Sequence, residues 1–466
     1  MLSNGMKIKL LFLFLSFSFY GIAQQFTLKK GSLIDQVPVN DSINENFVLY
    51  LPTTFELKKE WPVVFVFDMQ GRGKQALSMF RSAAEKEGFI LAASNNLQDT
   101  LTLTKNVLIS SRMINKVYSM LPIERTGVYT GGYGAGARMA SLLPTFIKEI
   151  QGVISCGSAV ANSEVLTSKR PFHFIGIVGV EDYNYRAMLS SRKLLHNLKF
   201  PNELFVFEGG EKWPKSPYIA KAMQTFKLAA MAKESVPKNE AYISSTYLEN
   251  IRAANSFLSK DKPLLAYSAL NQTVGVYRHF RSTDSLKSSL KTLKRTKGYK
   301  INSRSKNAAF FKEDLIKDDY VYFLGEDIQT YNYNNLGWWQ YQMEELEKYS
   351  KKANIFEKEM ATRLKGFINA LIADNIDDIN AMLPVDEEAV TLLWMLKTIT
   401  DAENEKPFLK VISRSSKVED YGTALFYLEE LLKTGYENKT ELYELEDTAL
   451  LRITPEFNAL VQKYLK

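Results

Sequence analysis

The 466-residue chain has one cysteine, Cys156, and three histidines, His173, His196 and His279. A single cysteine excludes an internal disulfide, so packing must hold the fold. Three histidines leave few candidates for a general base or a metal ligand. The only extended apolar run, Leu10 to Tyr20, is too short to cross a bilayer, and no stable membrane span is expected. A large excess of charge is also missing. The formal +7 falls to +5 once Lys7 and Lys9 are removed with the leader, which does not argue for nucleic acid. With 45% hydrophobic and 24% charged residues, the composition is that of a globular protein.

The N-terminus reads as a targeting segment. Lys7 and Lys9 precede the apolar run, and Gly21-Ile22-Ala23 supplies small residues for a signal peptidase. Cleavage is expected between Ala23 and Gln24. No cysteine stands at that point, so no lipid anchor is expected. The expected location is exported, periplasmic or secreted, in a bacterium.

The mature chain has two textures. From about Gln25 to Glu234, strands alternate with helices. Pro62 to Asp68 is an apolar run of the kind buried in a sheet centre, and helices are predicted over Gln75–Glu87, Leu103–Met120 and Ala135–Phe146. That rhythm predicts a doubly wound, mostly parallel sheet. After Lys238 the strands stop and helices follow, most of them short. The expected division is 1–23 signal peptide, 24–237 α/β domain and 238–466 α-helical domain. The lysine-rich stretch from Asp284 to Lys312 is expected to be an exposed loop or irregular turn.

One motif dominates. Gly127-Val128-Tyr129-Thr130-Gly131-Gly132-Tyr133-Gly134-Ala135-Gly136 reads as strand, tight turn and helix start. This is the frame of the α/β-hydrolase nucleophile elbow, G-x-S-x-G, with Gly134 in place of the serine. Glycine brings no oxygen to attack with. It also relieves the strain a serine bears there, of order ~1–3 kcal/mol. The same residues fit the dinucleotide fingerprint G-x-G-x-x-[GA]. That motif belongs at the first strand of its domain and is followed by a strand-end acid, and neither condition is met here.

Three segments together resemble the exported esterases related to polyhydroxybutyrate depolymerase and feruloyl esterase. They are Thr130 to Ala140, Gly179-Val180-Glu181-Asp182, and Gly209-Gly210-Glu211-Lys212-Trp213-Pro214. The likeness covers about Asn46 to Ala230. It implies an α/β-hydrolase fold in which Asp182 occupies the place of the triad acid. Gly134 occupies the nucleophile's place and Glu211 that of the histidine. The loop with Met69 and Gln70, and the backbone N–H of Ala135, correspond to the oxyanion donors. Without a base, Asp182 has no imidazole to orient. None of the three histidines lies in a loop after the last predicted strand.

Other nucleophiles have bland readings beside the chemical one. Ser158 follows the next strand, Cys156 reads as a small buried hydrophobe, and Thr130 as a local hydrogen-bonding residue. Asp182 and Glu211, if close, call for a proton, a cation or a lysine such as Lys212. Calcium would need more oxygen ligands than the segment offers, and no metal or other cofactor is expected.

In the helical half, Tyr421 to Lys433 with Gly435 behind it resembles one helix of a tetratricopeptide repeat. The closing segment Thr454-Pro455 has the form of a helix cap. Tyr331, Tyr333, Trp338 and Trp339 read equally as core or as lining of a site. The expected function is a non-catalytic hydrolase homologue that binds a protein, peptide or small ligand. The alternative is an active ester hydrolase with an unrecognised nucleophile.

Overall fold

The computed structural model describes residues 28–40 and 42–465. The expected leader, 1–23, lies outside the described residues.

Eight strands form one sheet: β1 (Leu33–Pro38), β2 (Asn46–Tyr50), β3 (Trp61–Phe67), β4 (Ile90–Ser94), β5 (Ile123–Tyr133), β6 (Ile150–Cys156), β7 (His173–Gly179) and β8 (Asn202–Phe207). Their spatial order is β1-β2-β4-β3-β5-β6-β7-β8. β2 runs antiparallel to β1 and β4, whereas β3 is parallel to both β4 and β5, and β7 to β8. This mainly parallel sheet with helical crossovers is the α/β-hydrolase arrangement, and a helical region follows it. Strand β3 sits at its centre because Val63 to Phe67 are apolar without a break, and all five are fully buried.

The chain divides into two compact units, the first ending at Val153 and the second beginning at Ile154. In the first unit, α1 (Gly73–Glu87) buries Ala76, Leu77, Phe80 and Ala84 at helical spacing. α2 (Leu103–Met120) starts where the Thr102 hydroxyl accepts the Lys105 N–H. α3 (Ala135–Phe146) follows β5 directly.

The second unit contains β7, β8, α4 (Tyr185–Asn197) and α5 (Ser216–Ala232). The helical region then runs through α6 (Glu240–Ser259), α7 (Pro263–Tyr277), α8 (Asp284–Arg295), α9 (Lys297–Thr330), α10 (Leu336–Ser350), α11 (Ile355–Asn380) and α12 (Glu387–Thr400). It ends with α13 (Glu405–Lys417), α14 (Tyr421–Lys433), α15 (Lys439–Glu444), α16 (Ala449–Arg452) and α17 (Pro455–Tyr464).

The edge strand β8 is not left bare. From α7, the Gln272 side chain donates to the Leu204 carbonyl at 2.6 Å, the kind of cover that keeps an edge from pairing elsewhere.

The stretch from Asp284 to Lys312 is not a loop. It contains α8 and the first half of α9, which is 34 residues long. Leu286, Leu290 and Leu293 give α8 a buried stripe, its lysines line the other side, and the Thr296 hydroxyl caps α9 by accepting the Tyr299 N–H. High lysine content hid this leucine spacing. A second long helix, α11, spans 26 residues.

Candidate functional site

The elbow forms as its sequence predicts. Gly134 follows the end of β5 and precedes α3, with φ 53° and ψ −121°. An L-residue adopts that backbone only under strain. The flanking glycines answer to contact instead. A Cβ on Gly132 would lie 2.5 Å from the Gly136 carbonyl carbon, and one on Gly136 would lie 2.0 Å from the Phe67 carbonyl oxygen. Strand and helix can approach this closely only without side chains at both positions. A Cβ at 134 itself would meet nothing within 4 Å. The turn therefore has the geometry and the open space for a side chain, but the residue present has none.

Around the elbow, Thr130 donates its hydroxyl to the Ala140 carbonyl at 2.9 Å, the local role expected of it. Ala135 opens α3, where a backbone N–H has no acceptor within the helix. The loop after β3 is fastened by the buried Asp68. Its carboxylate accepts the Gln70 N–H at 2.8 Å and the Arg72 guanidinium at 3.0 Å. The Gln70 N–H is thus already directed at a carboxylate. The Met69 carbonyl accepts the Asp99 N–H at 2.8 Å.

In the second unit, the acid loop and the loop carrying Glu211 are laced together. Val180 donates its N–H to the Phe207 carbonyl at 2.9 Å, and Glu181 donates to the Gly209 carbonyl at 3.0 Å. Asp182 is almost fully buried and accepts the Asn184 N–H at 2.8 Å. Burial pushes its carboxyl up to about 6; the Asn184 hydrogen bond opposes the shift and the charge of Glu211 adds to it. Glu211 stands in an exposed bend, yet desolvation by the surrounding protein raises its carboxyl too. The charge of Glu211 thus reaches Asp182, although burial is the larger cause for both groups.

The substitute nucleophiles are engaged or inert. Ser158 is buried, donates to the Ala159 carbonyl at 3.2 Å and accepts the Ser155 hydroxyl at its own carbonyl. Cys156 is fully buried, and burial raises its thiol far above the reactive range. His173 packs edge-on against Phe226, and burial followed by the charge of Lys233 pushes its imidazole down to about 3. His196 lies in α4, and His279, just after α7, accepts the Arg278 Nε–H at 3.1 Å. Among the described residues no group of three or more His, Cys, Asp or Glu is arranged to hold a metal ion. No helix among them is long and apolar enough to cross a membrane.

Two cavities in this unit were not foreseen. One, of about 440 Å³, joins Glu181, Tyr183 and Glu211 to Thr362, Asn369 and Thr400 of the helical region. Some 150 residues separate its walls in the chain, so no local pattern announces it. The other, of about 780 Å³, lies among α12, α13 and α14 and is lined by Tyr333, Met395, Arg414, Val418, Phe426 and Tyr427. Tyr333 therefore lines a groove, whereas Trp339 is core, its indole N–H donating to the buried Asp327 at 2.7 Å. Trp338 packs on the same core, and Tyr331 is exposed with its hydroxyl donating to Asp386 at 2.9 Å.

No family model matches the chain, and no curated protein matches it. The solved structures to which part of the chain is similar include esterases and a serine hydrolase. Est1E from Butyrivibrio proteoclasticus is 13% identical, with 43% of this chain and 99% of that chain covered and a TM-score of 0.34. Esterase B from Lactobacillus rhamnosis is 12% identical, covering 51% and 100% at a TM-score of 0.37. The fluorophosphonate-binding serine hydrolase F of Staphylococcus aureus is 11% identical, covering 42% and 99% at 0.36.

Proposed function

We propose that this protein binds rather than hydrolyses: an exported α/β-hydrolase homologue from which the acyl-transfer side chains have been lost. The observation that carries the reading is Gly134. The elbow conformation is present and a side chain would have room, but no hydroxyl stands there. Glu211 occupies the place that the esterase resemblance gives to histidine, and buried Asp182 has no imidazole beside it in the sequence pattern. Ser158 and Cys156 are poor replacements, because one is engaged and the other is buried with a raised pKa.

The cavity beside Glu211 and the groove among α12, α13 and α14 support the binding reading. They are concave and mix apolar walls with a few polar groups. The helical region, read as tetratricopeptide-like from the pattern of Tyr421 to Lys433, would hold a peptide or protein; the smaller cavity suits a small ligand.

The test is an assay of the purified protein with short-chain aryl esters and with a serine-reactive fluorophosphonate. No turnover and no labelling are expected. Robust turnover, or a label on Ser158 or near the elbow, would overturn the reading. The pair Gly134→Ser and Glu211→His is expected to gain fluorophosphonate labelling at 134.

A further inference from the structure

Helix α9 is apolar on two opposite sides. Its inner side buries Ala309, Tyr320 and Leu324 in the helical core. It is also clamped from the α/β side, where Arg186 pairs with Asp314 and the Lys306 ammonium donates to the Tyr185 hydroxyl at 2.7 Å. The outer side carries exposed Arg304 and Asp318, but it is not uniformly polar. Ile301, Ala308, Phe311, Leu315 and Tyr322 form an exposed stripe at steps of three, four and seven residues, with Phe311 69% exposed. Large apolar side chains exposed along one side of a firmly held helix mark an interface.

The order of residues along the stripe points to its partner. Arg304 and Asp318 each stand seven residues from Phe311, on opposite sides, with both charged heads exposed. Ala308 and Leu315 flank Phe311 three and four residues away, one small and one large. Ile301 and Tyr322 close the two ends, ten and eleven residues out. The stripe reads nearly the same in both directions from Phe311, except that charge and size are exchanged between its halves. That exchange is what a two-fold axis requires.

We propose that α9 is a self-docking surface at which a second copy of this chain packs its own α9 antiparallel, with the axis passing at Phe311. In that arrangement Arg304 of each copy faces Asp318 of the other, Ala308 accepts the bulk of Leu315, and Ile301 packs on Tyr322. A parallel pairing would set Arg304 against Arg304 and Asp318 against Asp318, and like charges opposite one another oppose it. The surface is independent of the elbow and of the proposed loss of catalysis.

The purified protein is tested by sedimentation and by light scattering over a dilution series. A dimer with a dissociation constant below about 10 µM is expected, weakened at least about tenfold by Phe311→Glu. Arg304→Asp and Asp318→Arg are each expected to weaken it, and the double exchange to restore it. Restoration separates the antiparallel pair from any contact with a different protein, which a charge exchange within this chain would not rescue. Phe311→Cys places a thiol at the axis and is expected to cross-link copy to copy under mild oxidation. The native Cys156 is buried and does not compete. A monomer at every concentration, a dimer indifferent to these changes, or failure of the double exchange to rescue would each overturn the proposal. All three residues are exposed, so folding is not at stake, and circular dichroism checks it.

Discussion

Arg363 and Glu313 form a buried ion pair. The guanidinium donates through Nε at 3.0 Å and Nη2 at 2.7 Å to one carboxylate oxygen, with 1% and 0% of the two side chains exposed. The Lys317 ammonium lies 3.1 Å from the other oxygen. The remaining nitrogen, Nη1, donates to the Val180 carbonyl, two residues before Asp182. One arginine of α11 thus joins α9 to the acid loop. Removing it would leave a carboxylate with no exposure to water to Lys317 alone, and Arg363→Ala is expected to cost about 3–5 kcal/mol. The joint change Arg363→Met with Glu313→Leu is expected to cost less, because neither member of the fully buried pair is left without the other and the one charge released, Lys317, reaches water. Urea midpoints check both.

The glycines of the elbow should separate by cause. Gly134→Ala or Gly134→Ser meets no atom and carries only backbone strain, an expected loss of about 1–3 kcal/mol. Gly136→Ala drives a methyl into the Phe67 carbonyl at 2.0 Å, so strand and helix must separate. It is expected to lose more than Gly134→Ala, by about 2 kcal/mol or greater. Thermal and chemical denaturation of the two variants side by side give the ranking.

Asp182 sets a pH dependence. Its carboxyl is raised to about 6 in the fold, against about 3.9 for an unfolded chain. Between those values the folded state holds a proton that the unfolded state has released. The stabilisation is therefore complete below about pH 4 and is lost as pH rises through about 6, amounting to about 3 kcal/mol at most. Glu203 and Glu359, both raised to about 7 by burial, add slopes at higher pH. The measurement is thus the difference between the wild-type and Asp182→Asn stability curves, which is expected to change between pH 4 and 6 and to flatten beyond.

Asp327 organises the turn between α9 and α10. Its carboxylate accepts the Trp339 indole N–H at 2.7 Å and the Asn335 amide at 2.8 and 3.0 Å. Asp327→Ala would leave a buried indole N–H without an acceptor, at an expected cost of about 2–4 kcal/mol. Trp339→Phe removes the donor as well as the bond and is expected to cost less. Tryptophan fluorescence during unfolding follows both.

The α/β half was legible because its signals are local. Continuous apolar runs mark β3 and β7, and the three glycines at 132, 134 and 136 mark the tight turn between β5 and α3. Thr454 caps α17 as expected from Thr-Pro, accepting the Phe457 N–H at 3.3 Å. The stretch beginning at Asp284 misled because the lysines on one side of α8 are as many as the leucines that place it. Periodicity rather than composition carried the information there.

By itself the sequence determined the sheet, the elbow and the identity of the residue at 134, since strand pattern, turn chemistry and the absence of a hydroxyl are properties of neighbouring residues. Only tertiary structure decided that Asp182 is buried enough to hold a raised pKa, that Arg363 is fixed to Val180, and which side of α9 faces water. Desolvation and contact depend on atoms brought together from distant parts of the chain, and no window of consecutive residues records them.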